Sequence, residues 1–366
     1  MSLKDFLTYQ AKTTPNPLGL EVSKAKGSYI FDSKGNKYLD FVAGISVCSL
    51  GHRHPEIIKA IKKQLNKFLH VMVYGEYVQE PTVKLCKKLA SLLPKNLEVT
   101  FLTNSGTEAI EGAMKLAKRY TKKSNFIAAK NSYHGSTQGA LSLLGVKNQK
   151  IGYGPLLPKV NFIDFNSNKD LTKIDNNTAA VILETVQGGA GFIVPKPGYL
   201  NNVKKRCREV GALLILDEIQ PGIGRTGNMF AFQKYGVEPD ILVIGKGLGG
   251  GLPIGAFCSS REMMKKFEYK PSLGHISTFG GNPVIASAGL SVLETLENEK
   301  ILEKIKEKEE LIRSLLKHKK IKSINGTGLM LAIILERKAD AEKLVKESMG
   351  KGLILFYLLW NKLAVR

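Results

Sequence analysis

The stretch from Leu213 to Phe257 narrows most sharply what this chain can fold into. It holds LLILDEIQPGIGRTG and, after a helix-like segment, PDILVIGKGLGGGLPIGAF. Ala212–Leu216 is too short and too evenly apolar for an amphipathic helix, so it reads as a buried strand delivering Asp217 at its C-terminal end. Ile241–Gly245 reads the same way and delivers Lys246. Open α/β sheets place ligands beyond the carboxyl ends of their strands. An Asp and a desolvated Lys brought there together suit one chemistry. The amine condenses with an aldehyde, and the carboxylate keeps a pyridine nitrogen protonated. That pair points to pyridoxal phosphate (PLP).

Two rival readings carry less. Gly245, Gly247 and Gly250 have the GxGxxG spacing of a dinucleotide fingerprint. Such a fingerprint opens a helix, with an acidic residue roughly 20 positions on. Here Gly251-Leu252-Pro253 leads into IGAFCSS, another strand-like run. The other rival is an ordinary surface lysine. Its place after a buried strand, among glycines that allow close backbone approach, argues against that.

Length and composition set the frame. At 366 residues the chain exceeds one small core, so a large and a smaller domain are expected. With 43% hydrophobic and 23% charged residues it reads as a soluble globular protein, and no run reaches membrane-span length. MSLKDFLTYQ lacks the apolar centre of a signal peptide, and Cys48, Cys86, Cys207 and Cys258 are scattered. Both features lead us to expect reduced thiols and a cytoplasmic address. The net charge of +22 is mostly lysine spread over helix faces, without an Arg-rich arm. A nucleic-acid partner is not expected, nor is a membrane.

In chain order, residues 1–28 read as an extended arm, and Tyr29–Asp32 with Lys37–Phe41 as a hairpin. His52 and His54 stand two apart with no acid or Cys at ligand spacing, so a turn is favoured over a metal site. Pro55 opens a helix with Ile57, Ile58, Ile61, Leu65 and Leu69 on one face, and Val83–Leu93 forms another. EVTFLTNSGTEAIEGAMKLAKRY reads as strand, turn and helix. Its Asn104–Thr107 turn is either an anion cradle at the helix N-terminus or a plain cap, and both readings stand. Asn125–Lys130 and Ala179–Thr185 are further strands, ending near Tyr133-His134 and Glu184. Tyr133 or His134 could stack on a flat ring, but on local grounds packing is favoured. Tyr199–Val210 reads as a helix. The alternation predicts a doubly wound, mostly parallel sheet. Beyond it we expect helices over Pro283–Leu296 and 298–320, a strand at Leu329–Leu335, a helix at Ala339–Met349 and a last strand at Leu353–Trp360.

Seven motifs in order resemble one family: LDFVAGISVCSLGHRHP, FLTNSGTEA, SYHG, ILETVQGG, LLILDEIQPGIGRTG, PDILVIGKGLGGGLPIGAF and STFGGNP. From about Phe31 onward the chain resembles the class III (ornithine/acetylornithine-type) PLP-dependent aminotransferases. The resemblance implies the type I PLP fold, an α/β architecture with a large doubly wound domain and a smaller α+β domain. On that pattern 1–45 form an arm and part of the small domain, 46–290 the large domain and 291–366 the rest of the small one. It implies a homodimer with shared sites and a ping-pong exchange between an ω-amino acid and a 2-oxo acid such as 2-oxoglutarate.

The same resemblance implies residue roles. Lys246 would hold the cofactor and carry the proton, and Asp217 would pair with the pyridine nitrogen. Gln220 would bond the ring's phenolic oxygen. Ser105, Gly106 and Thr107 would hold the phosphate, with Thr278 arriving from the neighbouring subunit. Tyr133 would cover the ring face. Glu184 would orient its neighbours or simply end its strand, and Arg366 would take a substrate carboxylate.

The departures bear on substrate. Ser136 stands where the pattern has an Arg, and Gly189 where it has a Glu that gates the second Arg. These favour, as an alternative, an amine or β-amino acid:pyruvate aminotransferase. A racemase on the same fold is a further possibility. The pattern's second Arg is followed by a closing helix, while here Arg366 is the last residue. The expectation is therefore a frayed end, weakened substrate binding and an exposed apolar patch on the small domain, with a PLP-binding protein of impaired catalysis as an alternative.

Overall fold

The computed structural model describes residues 3–366. The two evenly apolar runs form the strands Leu213–Asp217 and Ile241–Gly245, and every residue of both is buried. Their side chains alternate between two cores. Leu214, Leu216, Leu242 and Ile244 enter one, and Leu213, Ile215, Ile241 and Val243 the other. A strand covered on both faces has no polar side to show, which is why no alternation appears in its sequence. On one face Leu85, Leu89, Leu200, Val203, Val292 and Leu293 come from helices Glu80–Leu92, Tyr199–Glu209 and Pro283–Asn298. On the other, helix Gly106–Thr121 brings Ala109, Ile110, Ala113 and Ala117.

These strands lie in a seven-stranded sheet. Its order is Val99–Thr103, Gly255–Ser259, Ile241–Gly245, Leu213–Asp217, Thr178–Glu184, Asn125–Ala129 and Val160–Ile163. The last five are parallel to one another, and Gly255–Ser259 runs antiparallel to both its neighbours. The expected doubly wound sheet is therefore present, with one reversed strand.

Two smaller sheets flank it. Val22–Lys26, Tyr29–Asp32 and Lys37–Asp40 pair in sequence, and Leu353–Ile354 adds in parallel to the third. Ile321–Thr327, Met330–Leu335 and Ala364–Val365 form the other.

The differences from expectation have local causes. The described part of the arm, residues 3–28, is not simply extended. It holds helix Leu3–Tyr9 and strand Val22–Lys26, which turns at Gly27-Ser28 with Gly27 at φ 58°. The 298–320 helix shortens to Ile305–Leu315 after a 3-10 turn, because Lys300 adopts the left-handed conformation at φ 49°. Helix Pro55–Leu65 buries Ile57, but Leu65 and Leu69 on the expected apolar stripe are exposed. The last strand ends at Ile354. The chain then folds back, and Leu358 N–H donates to the Ala364 carbonyl.

Candidate active site

Strand register assembles the site. Glu184 lies opposite Asp217 and Asp217 opposite Val243, so the two acids end adjacent strands. Lys246 follows Gly245 immediately and takes φ 41°, a left-handed value that few residues with side chains adopt. Local strain of this kind persists where surrounding structure enforces it. A cleft of about 430 Å³ opens at these strand ends. Its wall includes Lys246, Asp217, Glu184, Gln220, Tyr133, Gly106, Thr107 and Arg366. Eight of the expected positions therefore converge.

Ser105 sits just behind the wall as the N-cap of helix Gly106–Thr121, accepting from Glu108 N–H at 3.4 Å. The two local readings of that turn thus coexist: a cap at Ser105, and helix N-terminal residues facing the cleft. N–H groups of a first turn have no intrahelical acceptor. Thr107 Oγ1 lies 2.8 Å from Thr137 Oγ1. The turn is held from behind by Gly255, where an added Cβ would fall 2.0 Å from the Ser105 carbonyl oxygen. Thr278 does not join its own chain's cleft. It is exposed on a loop anchored by Ser277, whose Oγ accepts from Asn104 Nδ2 at 2.8 Å.

Hydrogen bonds fix the acids. Asp217, 3% exposed, has Oδ2 at 2.8 Å from His134 Nδ1, and its Oδ1 accepts from Ile219 N–H at 3.0 Å. Glu184 accepts from Tyr133 N–H at 3.0 Å and Gly188 N–H at 2.7 Å. Burial, opposed in part by His134, pushes the Glu184 carboxyl up to about 7. Burial also lowers the Lys246 amine below its usual range, while Asp217 and Glu184 pull it back. The sequence reading missed His134, which neither stacks nor merely packs. The signal was its place two residues after Ser132 in SYHG, in the loop after a strand that pairs with Thr178–Glu184.

Arg366 is not frayed. It exchanges backbone hydrogen bonds with Phe356 at 3.1 and 2.9 Å, and Ala364–Val365 pairs with Met330–Leu335. Its guanidinium lies 5.8 Å from the Phe356 ring centroid, and its Nε is buried without a partner. Burial lowers its pKa to about 10. Ser136 is exposed at the cleft, with Oγ 3.1 Å from Tyr133 Oη. Gly189 is covered by Trp360.

A lysine and an acid on neighbouring strand ends, in one cleft with a helix N-terminus, suit an α/β enzyme that binds an anionic, amine-reactive ligand. The chain belongs to the aminotransferase class-III family, whose model matches residues 9–360. It is 40% identical to the acetylornithine aminotransferase of Caldanaerobacter subterraneus, across 95% of this chain and 90% of that one. It is also 40% identical to the acetylornithine aminotransferase of Methanocaldococcus jannaschii, across 91% and 84% respectively. The ornithine aminotransferase of Toxoplasma gondii superposes with a TM-score of 0.92 at 31% identity, covering 100% of this chain and 90% of that one. An omega transaminase of Pseudomonas jessenii, solved in complex with PMP, superposes with a TM-score of 0.91 at 26% identity, covering 99% and 91%. The fold is the type I PLP fold that the resemblance implies.

Proposed function

We propose that this protein transfers an amino group from an ω-amino acid of the ornithine or acetylornithine type to a 2-oxo acid such as 2-oxoglutarate, using PLP. One observation carries the reading. Lys246 and Asp217 leave neighbouring parallel strands into one cleft, facing Gly106 and Thr107 at a helix N-terminus. The residues fit the cofactor. A cleft of about 430 Å³ lies within the range of small-ligand sites, and its glycines leave room that side chains would fill. At Gly188, for example, a Cβ would lie 2.5 Å from Gln220 Oε1.

When bound, PLP supplies an electron sink that eases removal of a proton from the amino acid's carbon. Lys246, desolvated, carries more neutral amine than an exposed lysine and so serves as nucleophile and then as proton carrier at Nζ. Asp217, oriented by His134 and Ile219 N–H, would accept from the pyridine N–H. Gln220 would serve the phenolic oxygen and Tyr133 would cover a ring face. Gly106 and Thr107, with Ser105 just behind them, would hold the phosphate, as a helix N-terminus favours an anion. Glu184 fixes the Tyr133 and Gly188 backbones that wall the site. Arg366 takes a substrate carboxylate.

A homodimer in the cytoplasm completes the reading. Leu69, Tyr77, Val78, Ile276 and Phe279 are exposed, and His70 lies 5.0 Å from the Phe279 ring, so part of this apolar surface is continuous. Thr278 is exposed beside Phe279 in that same surface, which supports a role at a partner's phosphate site. No helix among the described residues is long and apolar enough to cross a membrane. Residues 46–290 act as the large domain, and 1–45 with 291–366 build the small one.

Ser136 and Gly189 favour a second reading, an amine or β-amino acid donor with pyruvate, because neither brings a charge to the substrate. The test is glutamate formation by the PLP-saturated protein from acetylornithine and 2-oxoglutarate, beside alanine formation from pyruvate with an amine donor. Glutamate supports the first reading, and alanine alone supports the second. Neither product from any donor contradicts both.

A further inference from the structure

The Gly188–Gly191 turn is gripped from the C-terminal region by three side chains. Asn361 Nδ2 donates to the Ala190 carbonyl at 2.9 Å, and Asn325 Nδ2 donates to the Gly191 carbonyl at 3.1 Å. Trp360 lies against Gly189. An added Cβ there would fall 2.5 Å from Trp360 Cζ2 and 2.7 Å from Cε2. The indole N–H donates to the Asn131 carbonyl at 3.0 Å, and the ring lies 5.9 Å from that of Tyr133. Trp360 therefore occupies the volume that any side chain at position 189 would need.

The same segment carries Arg366. Phe356 and Arg366 pair at the base of a hairpin, Leu358 pairs with Ala364 above them, and Trp360 sits in its loop. The Arg366 guanidinium faces the cleft, and no ion pair to it forms among the described residues. A charged side chain at 189 could neutralise this arginine between half-reactions. An indole cannot.

We propose that Trp360 is a specificity-determining positioning residue: wedged on Gly189, it fixes the hairpin so that Arg366 is presented permanently to a substrate carboxylate. Resting on the transaminase reading above, this makes carboxylate recognition constitutive rather than gated. Trp360 is not among the residues that line the cleft and acts through Arg366, which is. Donors bearing a carboxylate depend on it, and simple primary amines do not.

The experiment is the single-turnover donor reaction of the PLP-loaded protein without acceptor, followed by absorbance. It compares a carboxylate-bearing donor (acetylornithine) with a carboxylate-free one (an n-alkylamine). Trp360→Ala and Gly189→Ala are each expected to raise the half-saturating concentration of acetylornithine about tenfold, with little change in the limiting rate. Alkylamine saturation is expected to stay within about twofold. Arg366→Ala is expected to reproduce the pattern, and adding Trp360→Ala to it should cost little more. Equal losses for both donors, or a fully additive double variant, would overturn the proposal. A second readout is independent of turnover, since Trp360 is the chain's one tryptophan. Gly189→Ala should red-shift its emission as the indole is driven toward water, and unchanged emission would overturn the contact itself. An unmodified protein that reacts with neither donor would contradict the transaminase reading, which the emission shift does not address.

Discussion

His134 Nδ1 lies 2.8 Å from Asp217 Oδ2, and the two residues are 1% and 3% exposed. This contact joins the end of one strand to the loop after another, and it holds the carboxylate that the account assigns to the pyridine nitrogen. A buried hydrogen bond to a charged group stabilises by about 1.5–3 kcal/mol, and losing one partner leaves the other unsatisfied.

His134→Ala should therefore lower the limiting rate by about 10- to 100-fold. Asp217→Asn should lower it further, because the amide cannot hold the ring nitrogen's proton. Both are checked by single-turnover rates at saturating donor. If His134→Ala reacts at the unmodified rate, the contact is packing only.

Lys246 should prove the point of covalent attachment. Reduction of the PLP-loaded protein with borohydride is expected to leave the label on the peptide containing Lys246. Lys246→Ala should transaminate at least about 10³-fold more slowly while still taking up PLP. Label on another lysine would remove Lys246 from its role.

Gly255 tests the phosphate turn. A Cβ there would fall 2.0 Å from the Ser105 carbonyl oxygen and 2.4 Å from its carbon, and backbone has little freedom to yield. Gly255→Ala should cost about 1–3 kcal/mol in urea unfolding and loosen PLP retention on dialysis. A variant that unfolds and retains PLP normally would mean that the turn is not fixed from behind.

Glu184 gives a pH dependence. Its carboxyl is raised by burial to about 7, from an ordinary 4.5. Between those values the folded chain holds a proton that the unfolded chain releases. Stability from this group is thus fully present below about 4.5 and is lost as pH rises through about 7, by up to about 3 kcal/mol. Buried Glu218 is shifted the same way, although it accepts from Thr185, Ala231 and Phe232. Urea unfolding of the cofactor-free protein should lose stability from pH 5 to 7. Glu184→Gln should roughly halve that slope, whereas an unaltered slope would contradict the assignment.

Sequence made one part of this site legible and hid another. Asp217 and Lys246 could be placed because buried apolar runs end at them, and a run of that length has few alternatives to a strand. The turn before helix Gly106–Thr121 announced itself through small and hydroxyl residues. The Trp360–Gly189 contact could not be read, since it joins residues 171 positions apart through a hairpin that reads as one extended strand (360 minus 189). His134 stayed ambiguous because the direction of its ring is set by Asp217, which comes 83 residues later. Arg366 was expected to fray, since the pairing of Ala364–Val365 with Met330–Leu335 leaves no local pattern.

The most direct measurement of the central claim is the visible spectrum of the purified, PLP-saturated protein before and after adding acetylornithine, with Lys246→Ala beside it. The account predicts a yellow protein whose long-wavelength band is bleached by the donor and restored by 2-oxoglutarate, and a variant in which the donor does not drive that cycle. A protein that stays colourless with added PLP, or a Lys246→Ala variant that cycles at the unmodified rate, would contradict it.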